Sequence, residues 1–184
     1  MDSARPALFL DRDGVINIDK GYVYRREDII FVDGIFELCR AALRHGYSII
    51  IITNQAGIGR GYYSEADFAT LTEWMIGKFA EQDVEIAAVY YCPHHPVHGI
   101  GPYKTDSPFR KPRPGMILQA AKEHCIDLAR SMLVGDKISD IEAGSAAGVG
   151  RLVLYHESSE NEPSRFQIRR ISNLLEAASI LVGG

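Results

Sequence analysis

The chain has 184 residues, of which 46% are hydrophobic, and its 20 basic and 24 acidic residues give a net charge of −4. A chain of this length buries one good core, so we expect one domain over residues 1–184. The acidic balance gives no support to a nucleic-acid partner bound by phosphate neutralisation. Only four apolar residues stand in a row before Asp11, too few for a signal peptide or a membrane span. We therefore expect a cytoplasmic monomer that binds neither nucleic acid nor membranes.

Five apolar runs of strand length lie along the chain, at residues 7–10, 47–53, 86–91, 131–134 and 151–155. Their hydrophobicity is continuous instead of alternating, and β-branched residues are frequent in them. This pattern is typical of strands that are covered on both faces, as in parallel sheets.

Helical patterns separate these runs. Asp33, Ser64 and Ser139 stand where N-caps are expected, Pro114 fits a first helical turn, and a last helix is predicted at about residues 172–181. The alternation of strands and helices predicts an α/β fold with a doubly wound parallel sheet. Its layers would be the Rossmann-type α/β/α arrangement with right-handed crossovers.

Polar residues follow the predicted strand ends, where open α/β sheets bind ligands. Asp11, Thr53 and Asp136 each come at or directly after such an end. The connections at residues 17–32 and 92–113 are longer than most loops in compact domains, and structureless loops of that length are usually functional. We therefore expect a site at this edge of the sheet, with the two long loops beside it.

Four carboxylates, those of Asp11, Asp13, Asp136 and Asp140, would converge at this edge. Their repulsion is unfavourable unless a cation lies among them. Mg²⁺ suits such a site because it prefers oxygen ligands and takes one or two carboxylates together with a substrate phosphate. A phosphorylated substrate is therefore expected. Asp140 stands near a predicted helix start, so it either supports Lys137 or the metal, or stabilises the helix dipole.

Neighbouring residues supply the other parts of phosphoryl transfer. Lys111 offers positive charge to phosphate oxygens, and the Thr53 hydroxyl can donate to them. One aspartate beside the metal can act as a nucleophile and form an aspartyl-phosphate. A second aspartate two residues away can protonate the leaving oxygen and then deprotonate water.

Four stretches, "FLDRDGV", "IITNQ", "FRKPRPG" and "VGDKISD", resemble the motifs of the haloacid dehalogenase (HAD) superfamily of phosphotransferases, in the order of that superfamily. Longer stretches, among them "GYVY", "ITNQAGIGRGYYSEADF", "LTEWM" and "YYCPHHP", are similar to the D-glycero-D-manno-heptose 1,7-bisphosphate 7-phosphatases. The resemblance covers roughly residues 7–155. It implies Mg²⁺-dependent removal of the 7-phosphate through an aspartyl-phosphate, in ADP-heptose synthesis for lipopolysaccharide.

The resemblance implies a role for each matching residue. Asp11 would be the nucleophile and a Mg²⁺ ligand, Asp13 the acid–base and a ligand through its backbone carbonyl, and Asp136 the remaining ligand. Thr53 and Lys111 would stabilise the transferring phosphoryl group. The implied substrate contacts are Asp19, Lys20, Gly21, Tyr22, Thr53, Asn54, Gln55, Ala56, Arg110, Lys111 and Lys137.

Members of this superfamily often insert a cap domain over the site. Here the gaps between Asp11 and Thr53 and between Thr53 and Lys111 are filled by predicted elements. We therefore expect a HAD-like sheet without a large cap domain. Substrate selection would then rest on the two long loops, with Arg110 binding the phosphate that is not removed.

One departure from the family concerns a structural zinc. Family members commonly hold it with a Cys-x-His pair and a later Cys-x-Cys pair. This sequence keeps Cys92 and His94 but has Ser107 and Phe109 in place of the second pair. Tetrahedral structural zinc normally has four N or S ligands, so the departure argues against zinc in this loop. His95 and His98 could complete a rearranged site, but four ligands within seven residues would need an unusually tight wrap.

Three other functions stay open. A histidinol-phosphate phosphatase domain resembles this sequence closely. A non-catalytic sensor domain phosphorylated on Asp11 is disfavoured by Asp13, because an acid–base speeds hydrolysis of the phosphoryl group that a switch must keep. A polynucleotide-end phosphatase would need a basic groove.

Overall fold

The computed structural model describes residues 4–155 and 166–183. Its strands are β1 (Ala7–Leu10), β2 (Ser48–Asn54), β3 (Ile86–Cys92), β4 (Met132–Gly135), β5 (Arg151–Tyr155) and β6 (Arg169–Ile171). They form a six-stranded sheet in the order β3–β2–β1–β4–β5–β6. Every neighbouring pair is parallel. Strand β1 therefore lies between β2 and β4, where the direction of winding reverses.

Helices cover both faces of this sheet. They are α1 (Ile35–Arg44), α2 (Ala56–Gly59), α3 (Glu65–Ala80), α4 (Gly115–Glu123), α5 (Ile138–Ala147) and α6 (Leu174–Val182). One-turn 3₁₀ helices at Arg26–Asp28 and Gly101–Tyr103 lie within the two long loops.

The core is divided by the sheet because alternate residues of its central strands point to opposite faces. Leu8 and Leu10 of β1 belong to the core cluster that includes α1, α3 and α6. Ala7 and Phe9 belong to the cluster that includes α4 and α5. This three-layer arrangement confirms the predicted doubly wound α/β fold.

The predicted strands agree with β1 to β5 to within one residue at each end. Strand β6 and helix α2 are not among the predicted elements. Strand β6 has the sequence RRI, and its two arginines do not indicate a buried strand. Helix α2 has the sequence AGIG, with two poor helix formers, and forms where Ile58 is buried.

Among the helices α1, α3 and α4, two starts differ from their predictions and one agrees. Gly34, with a φ of 86°, is the N-cap of α1, so the prediction of Asp33 as the cap is wrong. The positive φ of Gly34 turns the chain between Asp33 and the helix. Pro114 is the N-cap of α4 and not a first-turn residue. Ser64 caps α3 as predicted, with its hydroxyl accepting a hydrogen bond from a backbone N–H of the first turn.

No cap domain interrupts the described part of the chain. The first long loop and α1 lie between Asp11 and Thr53, and α2, α3, β3 and the second long loop lie between Thr53 and Lys111. The prediction of a fold without a large cap is confirmed. Within residues 4–155 and 166–183, no helix has the length and apolar character that a membrane crossing requires.

Candidate active site

The carboxyl ends of the central strands bring most of the predicted site residues to one cavity. Asp11 follows β1, Thr53 lies near the end of β2, and Asp136 follows β4. The cavity has a volume of about 630 Å³ and is lined by Asp11, Asp13, Asp19, Gly21, Tyr22, Thr53, Asn54, Gln55, Ala56, Gly57, Tyr63, Arg110, Lys111, Pro112, Lys137, Ser139 and Asp140. Every predicted substrate contact except Lys20 is among these residues.

Three carboxylates form a cluster here; Asp11 and Asp140 line the cavity, and Asp136 lies beside them and is not part of the lining. Oxygen atoms of Asp11, Asp136 and Asp140 all lie within 4.8 Å of one another, and no other such group of possible metal ligands exists among the described residues. The Oδ1 atom of Asp136 is buried without a hydrogen-bond partner. A buried acceptor with no donor, inside a cluster of carboxylates, suits a cation that prefers oxygen ligands. The donor set of this site therefore fits Mg²⁺.

Gly14 lets the chain pass close to this cluster. Its φ is +97°, and a Cβ atom at this position would lie 2.2 Å from Oδ2 of Asp136. Any side chain there would be strained and would displace the Asp136 carboxylate. The glycine of the "DRDG" motif is therefore required by its packing against Asp136.

The Lys111 ammonium is the positive charge of the cluster. Its Nζ atom lies 2.9 Å from Oδ1 of Asp11 and 2.6 Å from Oδ1 of Asp140, and it donates to the Ile52 carbonyl at 3.0 Å. These partners satisfy its three donors. Lys111 is 4% exposed and Asp140 is 1% exposed, so the pairs are shielded from water. A buried charge of this kind is tolerated because it is fully paired.

Asn54 fixes the backbone of Lys111. Its Nδ2 donates to the Lys111 carbonyl at 3.1 Å, and the Lys111 N–H donates to its Oδ1 at 3.1 Å. These two bonds join the end of β2 to the start of the segment before α4. Asn54 therefore positions Lys111 in addition to lining the cavity.

The charges of the cluster shift one another's protonation. Burial raises the pKa of Asp11 to about 8, opposed by Lys111 and reinforced by Asp140 and Asp136. Burial also raises the pKa of Asp136. Burial opposes the charge on Lys111, but the attraction of Asp11 and Asp140 outweighs it and raises the lysine pKa. A divalent cation among the carboxylates would favour their ionised forms.

Asp140 joins the cluster to the start of α5. Its Oδ2 accepts the Lys137 N–H at 3.0 Å, while its Oδ1 pairs with Lys111. The carboxylate therefore stabilises the helix start and also holds Lys111, a partner that the sequence did not indicate. The prediction that Ser139 caps this helix is wrong, because Asp140 reaches back to Lys137 and the helix begins at Ile138.

Three side chains hold the Asp13 carboxylate. Arg12 donates to it from Nε and Nη2 at distances between 2.9 and 3.2 Å. Asn17 donates to Oδ1 at 3.1 Å, and Gln55 donates to Oδ2 at 3.1 Å. Arg12 is itself buried and donates to the Val23 carbonyl at 2.6 Å. The Asp13 side chain keeps 18% exposure, so it is fixed and still accessible from the cavity.

Residues 19–22 form an outer rim of the cavity. Asp19 accepts hydrogen bonds from Lys137 Nζ at 3.1 Å and from the Gly21 N–H at 2.9 Å. Burial opposes ionisation of Asp19, but these two hydrogen bonds outweigh it and lower the pKa of Asp19. Lys20 is exposed and does not line the cavity, because the turn closed by Asp19 and Gly21 leaves it outside.

Arg110 lies at another side of the cavity and donates to the His94 carbonyl at 3.2 Å. Burial lowers its pKa, and the positive charge of Arg60 adds to that effect. Among the described residues, neither arginine forms an ion pair with a carboxylate. Two neighbouring cations without acidic partners favour an anion beside them.

The loop at residues 92–113 keeps the first zinc-ligand pair of the resembled family and lacks the second. Cys92 Sγ lies 3.9 Å from His94 Nδ1. At the second position, the Ser107 hydroxyl accepts the Phe109 N–H at 3.2 Å. The expectation that this loop holds no zinc stays a prediction.

Sequence reasoning missed three residues that act on the predicted ones. Arg12 and Asn17, which hold Asp13, stand inside the "DRDGVIN" stretch, so their polarity beside a predicted site was an available signal. The third is Tyr63, whose hydroxyl donates to Gln55 Oε1 at 2.5 Å. Tyr63 lies in the "ITNQAGIGRGYYSEADF" stretch, but the resemblance gives it no role, and its contact with Gln55 depends on the path of the chain through α2.

The chain is similar to named phosphatases. A HAD-hydrolase-like family model matches residues 108–174. The chain is 62% identical over 148 residues to the D-glycero-alpha-D-manno-heptose-1,7-bisphosphate 7-phosphatase of Burkholderia mallei, covering 80% of this chain and 78% of that one. It is 52% identical over 151 residues to the D-glycero-beta-D-manno-heptose-1,7-bisphosphate 7-phosphatase of Vibrio cholerae, covering 82% and 81%.

The fold is similar to a solved structure of D,D-heptose 1,7-bisphosphate phosphatase from B. bronchiseptica complexed with magnesium and phosphate. The TM-score is 0.82 at 26% identity, with 97% of this chain and 98% of that chain covered. Similarity in sequence and in fold extends over most of both partners in each comparison. The chain therefore belongs to the family of D-glycero-D-manno-heptose-1,7-bisphosphate 7-phosphatases among the HAD-like hydrolases.

Proposed function

We propose that the chain is a Mg²⁺-dependent phosphatase that removes the 7-phosphate of D-glycero-D-manno-heptose 1,7-bisphosphate, toward ADP-heptose. The observation that carries the proposal is the cluster of Asp11, Asp136 and Asp140, whose buried members Asp11 and Asp140 pair with Lys111, with Asp13 two residues after Asp11. This arrangement offers a nucleophile, a cation site and an acid–base at one cavity. The names of the 62%- and 52%-identical relatives supply the sugar.

Asp11 and Asp136 would hold Mg²⁺ with their carboxylates, and Asp13 with its backbone carbonyl. The unpartnered Oδ1 of Asp136 supports this assignment. When bound, the ion neutralises part of the negative charge that carboxylates and phosphate bring together. Asp140 is excluded from the assigned ligands because its two oxygens already accept from Lys111 and Lys137.

In the first step the Asp11 carboxylate attacks the phosphorus of the 7-phosphate. The bond from phosphorus to the sugar oxygen breaks, and the Asp13 carboxyl gives its proton to that oxygen. Lys111 lies 2.9 Å from Asp11, so its positive charge stands beside the transferring phosphoryl group. The Thr53 hydroxyl lines the same cavity and can donate to a phosphoryl oxygen.

In the second step water attacks the aspartyl-phosphate. Asp13, now a carboxylate, takes a proton from that water, and the bond from Asp11 to phosphorus breaks. Inorganic phosphate leaves, and the Asp11 carboxylate is regenerated. Asp13 therefore returns to its protonated form, ready for another substrate.

Recognition of the sugar bisphosphate is assigned to the rim. Arg110 would bind the phosphate that is not removed, since it lines the cavity and has no carboxylate ion pair in the described ranges. Lys137, Asp19 and Tyr22 would contact the sugar or its phosphates from the other long loop and the start of α5.

The test is phosphate release from a panel of substrates. The panel holds the α- and β-anomers of heptose 1,7-bisphosphate, because the two relatives are named for different anomers. It also holds histidinol phosphate and a 3′-phosphorylated oligonucleotide. We expect phosphate to be released fastest from one anomer of heptose bisphosphate when Mg²⁺ is present, and not to be released when Mg²⁺ is absent. Faster release from histidinol phosphate or from the oligonucleotide would overturn the assigned substrate.

A further inference from the structure

We propose that Tyr63 and Gln55 are positioning residues for the acid–base carboxyl of Asp13, acting through a chain of hydrogen bonds from Tyr63 to Gln55 to Asp13. Tyr63 Oη donates to Gln55 Oε1 at 2.5 Å, and Gln55 Nε2 donates to Asp13 Oδ2 at 3.1 Å. The same Nε2 donates to Thr53 Oγ1 at 2.8 Å. The inference rests on the proposed function in one respect, namely that Asp13 is the acid–base.

The chemistry of the three groups sets the direction of this chain. A carboxylate accepts hydrogen bonds, so the Gln55 amide must present its nitrogen to Asp13. The amide oxygen then faces Tyr63, whose hydroxyl is the donor. If the amide were turned over, its oxygen would face the Asp13 carboxylate, acceptor against acceptor. The Asp13 carboxylate therefore selects the amide orientation, and the Tyr63 hydroxyl stabilises that orientation by donating to the amide oxygen.

The Tyr63 ring is itself immobilised. It is 7% exposed and stacks on Tyr24, with ring centroids 5.1 Å apart and planes 5° from parallel. A Cβ atom on Gly57 would lie 2.2 Å from the ring, so glycine at that position lets the ring sit against the backbone of α2. Ile58 and Phe68 complete the small apolar cluster around Tyr63. The hydroxyl therefore has a fixed location.

Gln55 is equally constrained. It is 1% exposed, and its backbone N–H donates to the Cys92 carbonyl at 2.8 Å, at the end of β3. Burial raises the pKa of the Tyr63 hydroxyl to about 12, so that hydroxyl remains a donor at neutral pH. A well-ordered neutral chain of donors can hold a carboxyl oxygen in place without adding charge to the site.

The experiment uses leaving groups that differ in their need for a proton. In 2,4-dinitrophenyl phosphate the leaving oxygen departs without one, whereas in phenyl phosphate and in the heptose bisphosphate it needs a general acid. The value of kcat/KM reports only steps up to transfer of phosphate to Asp11, so the later attack of water does not enter it. Tyr63→Phe removes the hydroxyl and keeps the ring.

For Tyr63→Phe we expect kcat/KM to fall roughly tenfold on phenyl phosphate and on the heptose bisphosphate, a part of what a general acid contributes. On 2,4-dinitrophenyl phosphate we expect a change within about twofold, because that step needs little acid assistance. Equal losses on all substrates would show a merely structural role and overturn the proposal. No loss on any substrate would overturn it as well.

Two further variants complete the test. Tyr91→Phe is the matched control, since its hydroxyl bonds to Glu65 at 3.2 Å in the same cluster and has no path to Asp13. It should leave all values unchanged. In a Gln55→Ala background, Tyr63→Phe should have no additional effect, because the two residues act in series. Additive losses would contradict the chain.

If Tyr63→Phe folds poorly, a second variant, Gln55→Glu, tests the same chain of hydrogen bonds. Gln55→Glu keeps the acceptor for Tyr63 and replaces the donor that faces Asp13. It should therefore give the same leaving-group dependence, and uniform losses would overturn the proposal.

Asp13→Asn distinguishes a failure of the positioning proposal from a failure of the proposed function. If Asp13→Asn lowered kcat/KM equally for all leaving groups, Asp13 would not be the general acid. The proposed mechanism and the positioning proposal would then both be wrong. Wild-type activity on phenyl phosphates without activity on heptose bisphosphate would remove only the proposed substrate.

Discussion

The cavity has a buried half and an exposed half, and they are built differently. In the buried half Asp11, Lys111 and Asp140 are 7%, 4% and 1% exposed. Asp11 follows β1, Asp140 lies in the first turn of α5, and Lys111 lies in the second long loop. In the exposed half the side chains of Asp19 and Lys137 are 35% and 56% exposed. Charges shielded from water interact strongly and can act on a transition state, whereas exposed charges are screened. We therefore expect changes in the buried half to lower kcat and changes at the rim to raise KM.

The largest effect is expected for Asp11→Asn. An amide is a poor nucleophile, so Mg²⁺-dependent phosphate release should fall by more than roughly 10⁴-fold, as for other lost nucleophiles. Lys111 keeps Asp140 and the Ile52 carbonyl as partners, so the fold should persist. Phosphate release and circular dichroism check the two expectations. Appreciable turnover by the folded variant would refute aspartyl-phosphate chemistry.

Asp140→Asn should weaken both the fold and the reaction. The change leaves Lys111 with one carboxylate fewer in a buried site, and breaking a buried ion pair costs about 3 kcal/mol of unfolding free energy. Urea unfolding measures that loss. Because Lys111 would also lose a contact that orients its ammonium, kcat should fall with little change in KM.

The control for Asp140→Asn is an ion pair at the surface. Glu37 and Arg40 lie 3.0 Å apart on α1, with the Glu37 side chain 54% exposed. Glu37→Gln should change the unfolding free energy by less than about 0.5 kcal/mol, since exposed pairs contribute little. If Glu37→Gln and Asp140→Asn lowered stability equally, burial would not be what separates the two halves of the site.

The buried half could largely be predicted from the sequence. Parallel strands end at one edge, so Asp11, Thr53 and Asp136 had to lie near one another once the strands were identified. The predicted strand ends were correct to within one residue, and that accuracy is enough to place these side chains. Asp140 was left ambiguous, because its contact with Lys111 joins segments that no periodic pattern relates.

Contacts that support the site from behind were not predictable in the same way. Tyr63 meets Gln55 because of the path of the chain through α2, a four-residue AGIG segment with two poor helix formers that lies between them. Lys20 was predicted at the substrate because its neighbours match the family, but a turn leaves it outside the cavity. Both outcomes depend on loop conformation, which tertiary packing decides and residue order does not.

At the rim, Arg110→Ala should raise KM for heptose 1,7-bisphosphate by roughly tenfold or more, because a guanidinium bound to phosphate makes strong paired hydrogen bonds. On a heptose 7-monophosphate the change should stay within about twofold, since the second phosphate is missing. Initial rates on both substrates give this comparison. Arg113→Ala is the control, because Arg113 pairs with Asp106 and does not line the cavity. Equal losses on the two substrates would show that Arg110 does not bind the remaining phosphate.

The smallest expected effect on KM is the difference between substitutions of two lysines near Asp19. Lys137 lines the cavity and donates to Asp19 at 3.1 Å, whereas Lys20 lies outside. For Lys137→Ala we expect KM to rise roughly fivefold, the value of about 1 kcal/mol for a partly exposed hydrogen bond. For Lys20→Ala we expect KM to stay within about twofold, as for a surface charge away from a site. A larger rise in KM for Lys20→Ala than for Lys137→Ala would mean that the rim rearranges when substrate binds. The contacts of the exposed half would then be those of the substrate-bound conformation.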